Sequence, residues 1–190
     1  MYKLWAFVRQ SLIRIYLFFA KLVYKLSGGK RPKTLFCQKA NAEHIGTRVR
    51  VVSSDKYSTT IAKFDADGNM SDEDFVILTG TDLHLDHGME NNEKTVERFV
   101  RHIKDIKPDL IVLTGDIILT DTQQTDAIQF AQMMEKLGIY WTAVFGNHEV
   151  REERGFYKYL LLKDFADYEH CLCKLGPDEL FGYGNYTVNI

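Results

Sequence analysis

Leu110-Ile111-Val112-Leu113-Thr114-Gly115-Asp116 is a short apolar run that ends abruptly in a glycine and a carboxylate. Two other runs share its texture, residues 75–79 before it and 141–145 after it. Between and beyond them lie helical patterns at 91–107, 122–137 and 151–165. Short apolar strands alternating with helices predict parallel strands joined by crossover helices, and so an α/β fold. Upstream, residues 48–52 and 57–64 are β-branched and aromatic on either side of Ser53-Ser54-Asp55-Lys56. That is the pattern of a hairpin, here leading into a turn at Asp65-Ala66-Asp67-Gly68. Downstream, residues 183–190 read as one further strand, whose open edge would invite aggregation if nothing covered it.

Composition narrows the field around this core. The 190 residues are 45% hydrophobic and 26% charged, which suits one globular domain with an appendage and excludes a disordered chain. A formal net charge of -2 exerts no global pull on nucleic acid, so no such partner is expected and affinity for phosphate must come from a local site. The cysteines are Cys37, Cys171 and Cys173, and the last two are too close in sequence for an ordinary disulfide. A reducing, cytoplasmic setting is the simpler expectation. Residues 4–26 are rich in Leu, Ile, Phe, Val and Tyr, but Arg9, Arg14, Lys21 and Lys25 interrupt them. No uncharged stretch reaches the roughly 18 residues of a spanning helix. On a helical wheel Lys3, Gln10, Arg14, Lys21 and Lys25 gather on one side, with Trp5, Phe18, Phe19 and Val23 elsewhere. Such a basic amphipathic helix suits an anionic membrane surface, and it equally suits packing on a parent domain. Ser27-Gly28-Gly29-Lys30-Arg31-Pro32 reads as a linker, which gives two expected domains, 1–32 and 33–190.

The residues able to do chemistry follow the three apolar runs. In an open parallel sheet ligands gather beyond the carboxyl ends of the strands. There the sequence places Thr81-Asp82-Leu83-His84, Gly115-Asp116 and Gly146-Asn147-His148-Glu149. A carboxylate between two cations can bridge them, and an Asp-x-His pair at a strand end sends both side chains to the same side. Glycine before Asp116 and before Asn147 allows the backbone to turn sharply and approach a ligand.

In this order and context, with about thirty residues between blocks, these residues resemble the first three signature blocks of the calcineurin-like metallophosphoesterases. The resemblance covers residues 75–190, and Gly182-Tyr183-Gly184-Asn185-Tyr186 is similar to a segment of the purple-acid-phosphatase-like branch. The resemblance implies an α/β/β/α sandwich and hydrolysis of phosphate mono- or diesters by two divalent or trivalent ions, of Mn, Fe, Zn or Co. It implies that Asp82 and His84 hold one metal, that Asp116 bridges both, that Asn147 binds the second, and that His148 is catalytic beside the leaving group. The bound cations would supply Lewis-acid activation of water and neutralise charge at phosphorus.

The chain also departs from the family pattern. Members carry further histidines in a Gly-His pair and a Gly-His-x-His block, and neither occurs here. The expectation is therefore an incomplete domain lacking its C-terminal half, a truncated form with apolar surface left open. The alternative function is a catalytically inactive binding module on the same fold, held at a membrane surface through residues 1–26. Simpler readings stand beside the metal one. Taken singly, Asp82 and Asp116 read equally well as helix N-caps. Asp86 and His87 read as solvated loop residues, Glu149 as a group orienting His148 or, the favoured reading, as a charge opening the next helix, Cys171 and Cys173 as buried thiols, and Gly184-Asn185-Tyr186 as at most a substrate loop.

Overall fold

The computed structural model describes residues 42–85, 92–119, 123–149 and 157–190. All of them belong to the unit Thr34–Ile190. The expectations for the N-terminal helix and linker, for Cys37, and for Asp86 and His87 lie outside the described residues. No helix among the described residues is long and apolar enough to cross a membrane.

The described elements run in chain order β1 Val49–Ser54, β2 Ser58–Lys63, β3 Ile77–Gly80, α1 Asn92–Ile106, β4 Leu110–Leu113, α2 Gln123–Leu137, β5 Trp141–Ala143, α3 Tyr157–Ala166 and β6 Thr187–Asn189. The strands form two sheets, β1-β2-β6 and β3-β4-β5. The second sheet is parallel throughout, with Leu78 opposite Ile111 and Val112 opposite Thr142. That is the arrangement the βα alternation predicts.

β4 shows why the layers stack as they do. Alternate residues of a strand point to opposite faces. Ile111 and Leu113 pack with Val96, Val100 and Ile103 of α1 and with Ala127, Phe130, Ala131 and Met134 of α2. Those helical positions recur at intervals of three and four, which makes one apolar stripe on each helix. Trp141 of β5 joins the same cluster and meets the Phe165 ring of α3 edge to face at 4.9 Å. Leu110 and Val112 turn the other way and pack with Val49 of β1, Ile61 of β2 and Val188 of β6. Among the described residues this makes helices, parallel sheet and second sheet successive layers, as part of the expected α/β/β/α sandwich would be. On the edge strand β3, Ile77 pairs with Leu110 yet is 47% exposed, so part of this apolar face is open to solvent.

The C-terminal strand is shorter than the sequence predicts. It forms only at Thr187–Asn189 and lies parallel to β2 of the hairpin sheet. Just upstream, the Tyr186 side chain is spent on β5, where its hydroxyl donates to the Ala143 carbonyl at 2.6 Å and shares a 2.6 Å hydrogen bond with Thr142.

A buried ion pair fastens the two sheets at the opposite end from the loops described below. Lys63 Nζ, at the end of β2, donates to Asp109 Oδ2 at 2.9 Å and to the Asp74 carbonyl at 2.8 Å. The same Asp109 oxygen accepts the Val76 N–H at 2.8 Å, so one carboxylate joins β2 to the starts of β3 and β4. Both side chains are about nine-tenths buried, at 9% and 10% exposure. Removing one partner of such a pair leaves the other charge uncompensated, which typically costs about 3–5 kcal/mol. Asp109→Ala is expected to destabilise the domain by about that amount in urea unfolding, and a loss below about 1 kcal/mol, the scale of an exposed pair, would contradict this role.

Candidate metal centre

The pairing of β3 with β4 does not stop where the strands end. Thr114 N donates to Gly80 O at 2.9 Å, Asp82 N to Gly115 O at 3.1 Å, His84 N to Asp116 O at 3.0 Å and Leu85 N to Ile117 O at 2.8 Å. Within this zipped pair of loops, Asp82, His84 and Asp116 all take left-handed backbone conformations, with φ of 55°, 48° and 51°. Such conformations cost a non-glycine residue about 1–3 kcal/mol each and gather at functional sites. Asp and His are among the residues that tolerate them best. All three lie just beyond the carboxyl ends of β3 and β4.

The loop after β5 closes against the loop after β4, backbone to backbone. A Cβ on Gly115 would come within 2.7 Å of Gly146 N, and one on Gly146 would come within 2.1 Å of Asp116 Oδ1. Only paired glycines permit this approach. Glu149 then bonds across the junction. Its side chain lies in a residue only 1% exposed and accepts four backbone N–H groups. Oε1 takes those of Ile117 at 2.5 Å and Ile118 at 2.9 Å, and Oε2 takes those of Asp116 at 3.0 Å and Gly146 at 2.8 Å. The favoured sequence expectation, that Glu149 merely opens a helix, is corrected here. It is an internal tie between the two loops, closer to the organising role that the sequence offered as the lesser reading.

The functional side chains converge at this junction. His84 Nε2 lies 3.6 Å from Asp82 Oδ1 and 3.7 Å from Asp116 Oδ2. These separations exceed hydrogen-bond length, and among the described residues this buried nitrogen has no hydrogen-bond partner. Ligand atoms that share a metal at about 2.1 Å each stand about 3.0–3.4 Å apart, and these two separations lie a few tenths of an ångström beyond that range. The His148 ring meets the His84 ring edge to face at 4.9 Å, and donor atoms of His84, Asp116 and His148 all lie within 4.8 Å of one another. His148 N donates to Asp116 Oδ1 at 2.9 Å, which leaves Oδ2 directed at His84. Thr81 Oγ1 holds Asp82 Oδ2 at 2.6 Å. Asn147 sits exposed between Gly146 and His148 in the same turn. An unpartnered buried imidazole nitrogen flanked by carboxylates is a donor set that fits a first-row transition ion.

Several other side chains able to do chemistry are engaged elsewhere. His170 pairs with Glu135 at 2.9 Å. Cys171 and Cys173 are free and buried, and burial pushes the Cys171 thiol well above its ordinary value, so it stays protonated. Tyr186, expected at most in a substrate loop, instead anchors the end of β5, and burial pushes its hydroxyl well above the usual tyrosine range.

The model of the calcineurin-like phosphoesterase family matches residues 75–188, more than half of the sequence. The chain belongs to that family. Among similar proteins, probable inactive purple acid phosphatase 14 of Arabidopsis thaliana is 26% identical over 163 residues, covering 73% of this chain and 39% of that protein. Phosphatase DCR2 of Saccharomyces cerevisiae is 29% identical over 137 residues, 61% of this chain and 23% of that protein. Probable inactive purple acid phosphatase 29 of Arabidopsis thaliana is 28% identical over 139 residues, 62% of this chain and 35% of that protein. The chain thus spans less than half the length of these relatives. No solved structure gives a significant match.

Gly146→Ala tests the loop junction directly. The new methyl would displace Asp116, and Mn2+ affinity measured by chelator competition is expected to fall about 10–100-fold, the range seen when groups supporting metal ligands are lost. Unchanged affinity would show that the contact of the two loops does not shape the site.

Proposed function

We propose that this phosphoesterase-family chain carries the metal-binding portion of a hydrolase for phosphate mono- or diesters, acting through a dinuclear centre of Mn, Fe, Zn or Co. The observation that supports it most directly is His84 Nε2, buried and unbonded between Asp82 and Asp116 at the mouth of a parallel sheet. In this reading Asp82 and His84 would hold one ion, Asp116 would contribute to both, and Asn147 would serve the second. The ions, when bound, supply Lewis-acid activation of water and neutralise phosphoryl charge. Asp82 and Asn147 are exposed, so a phosphate ester can reach the site from solvent. His148 is held beside it by the bond from its own N–H to Asp116, and its imidazole passes a proton to the departing alkoxide.

Turnover of an aryl phosphate is expected to require added divalent ion and to fall by about two orders of magnitude or more in Asp116→Asn, the scale of losing a principal electrostatic group. His148→Ala should slow an alkyl phosphate about 100-fold or more and an aryl phosphate much less, because only the poor leaving group needs its proton. Equal losses on both substrates would remove His148 from the acid role.

A second reading is favoured by the names of two similar proteins, both given as probable inactive purple acid phosphatases. In it the same site binds phosphate esters without turnover, and the chain is a cytoplasmic binding module resting on a membrane through residues 1–26. The basic and aromatic pattern of that segment supports the contact. Deleting residues 1–26 is expected to abolish sedimentation with phosphatidylserine-containing vesicles. Unchanged partitioning would dismiss the membrane contact, and metal-dependent turnover would dismiss the inactive module.

A further inference from the structure

We propose that Glu149 is a positioning residue for the metal centre, setting cation affinity without touching cation or substrate. The proposal rests on the metal reading of Asp82, His84 and Asp116 and deepens it by naming what holds that geometry.

Glu149 acts on both ligand-bearing loops at once. One of its oxygens bonds the backbone N–H of Asp116 and that of Gly146, the residue before Asn147. The other bonds the next two N–H groups, of Ile117 and Ile118. Asp116 in turn accepts the His148 N–H, so hydrogen bonds through Asp116 and Glu149 close a ring with the chain segment from 146 to 149. Within the ring every donor is a backbone group and every acceptor is a carboxylate oxygen, and charge-assisted bonds of this kind are the stronger class. Asp116, with Oδ2 3.7 Å from His84 Nε2, sits in a left-handed conformation that sterics disfavour, and bonds from Glu149 to three successive N–H groups over-determine it there.

Charge gives a second route to the same effect. Among the described residues no lysine or arginine forms an ion pair with Glu149, Asp82 or Asp116. The backbone donors disperse the Glu149 charge without cancelling it. A buried carboxylate one residue from His148 therefore adds to the negative potential at the junction and favours a cation there.

The test uses the whole chain, with Co2+ as probe. Affinity is read by chelator competition and coordination by the visible absorption of the bound ion. Far-UV circular dichroism confirms the fold, and kcat and KM for an aryl phosphate are measured at saturating Co2+. Glu149→Gln keeps the shape but turns an NH2 toward backbone donors, so Co2+ affinity is expected to drop about 10–100-fold with an altered spectrum. At saturating metal, kcat should fall more than KM rises, because the aim of the ligands changes and access does not. Glu149→Asp keeps the charge and is expected to recover part of the affinity. Wild-type affinity and spectrum in a folded Glu149→Gln protein would overturn the proposal, and so would two variants that both fail to fold, since Glu149 would then serve folding alone. A wild-type chain that binds no Co2+ would instead overturn the metal reading itself.

Discussion

β4 is four residues long and buried on both faces, and every other layer is positioned by it. Ile111 and Leu113 demand helices on one side, and Leu110 and Val112 demand a second sheet on the other. A strand with apolar groups on both faces is stable only inside such a stack, because leaving either face wet forfeits the burial of two aliphatic side chains. The same strand carries Gly115 and Asp116 at its carboxyl end, so the constraint that builds the core also places the chemistry. The Lys63–Asp109 pair sits at the other end of the strand and fastens the hairpin sheet there.

Beyond the strand ends the physics changes from burial to strain and charge. Asp82, His84 and Asp116 accept unfavourable backbone conformations, and parallel hydrogen bonding of their loops holds them in place. The two glycines let backbones approach where any Cβ would collide, and Glu149 converts that approach into four charge-assisted bonds. What results is a main chain tied by hydrogen bonds and, among the described residues of the junction, a buried side-chain nitrogen left unbonded, His84 Nε2. A buried polar atom without a partner is expensive unless a ligand will complete it, which is the physical content of reading this junction as a cation site.

Membership of the calcineurin-like phosphoesterase family accounts for the order of the three loops. It does not by itself decide turnover, since similar proteins are named both as a phosphatase and as inactive members. Fold and activity are separable because catalysis depends on a few side chains at the sheet mouth, whereas the layers depend on aliphatic burial far from it.

The amino-acid sequence alone determined the strands and helices of the α/β core and the three loops that follow β3, β4 and β5. Those features are local: strand and helix periodicity and the glycines before Asp116 and Asn147 act over a few neighbouring residues. Only the tertiary structure decided which partner β6 takes, that Tyr186 anchors β5, and that Glu149 ties two loops together. It also decided the left-handed backbones of Asp82, His84 and Asp116 and the meeting of the His148 ring with His84. Each of these depends on groups brought together from distant parts of the chain, or on strain that a surrounding fold must hold. A carboxylate that caps a helix and one that organises a metal centre look alike in sequence, and their surroundings in three dimensions separate them.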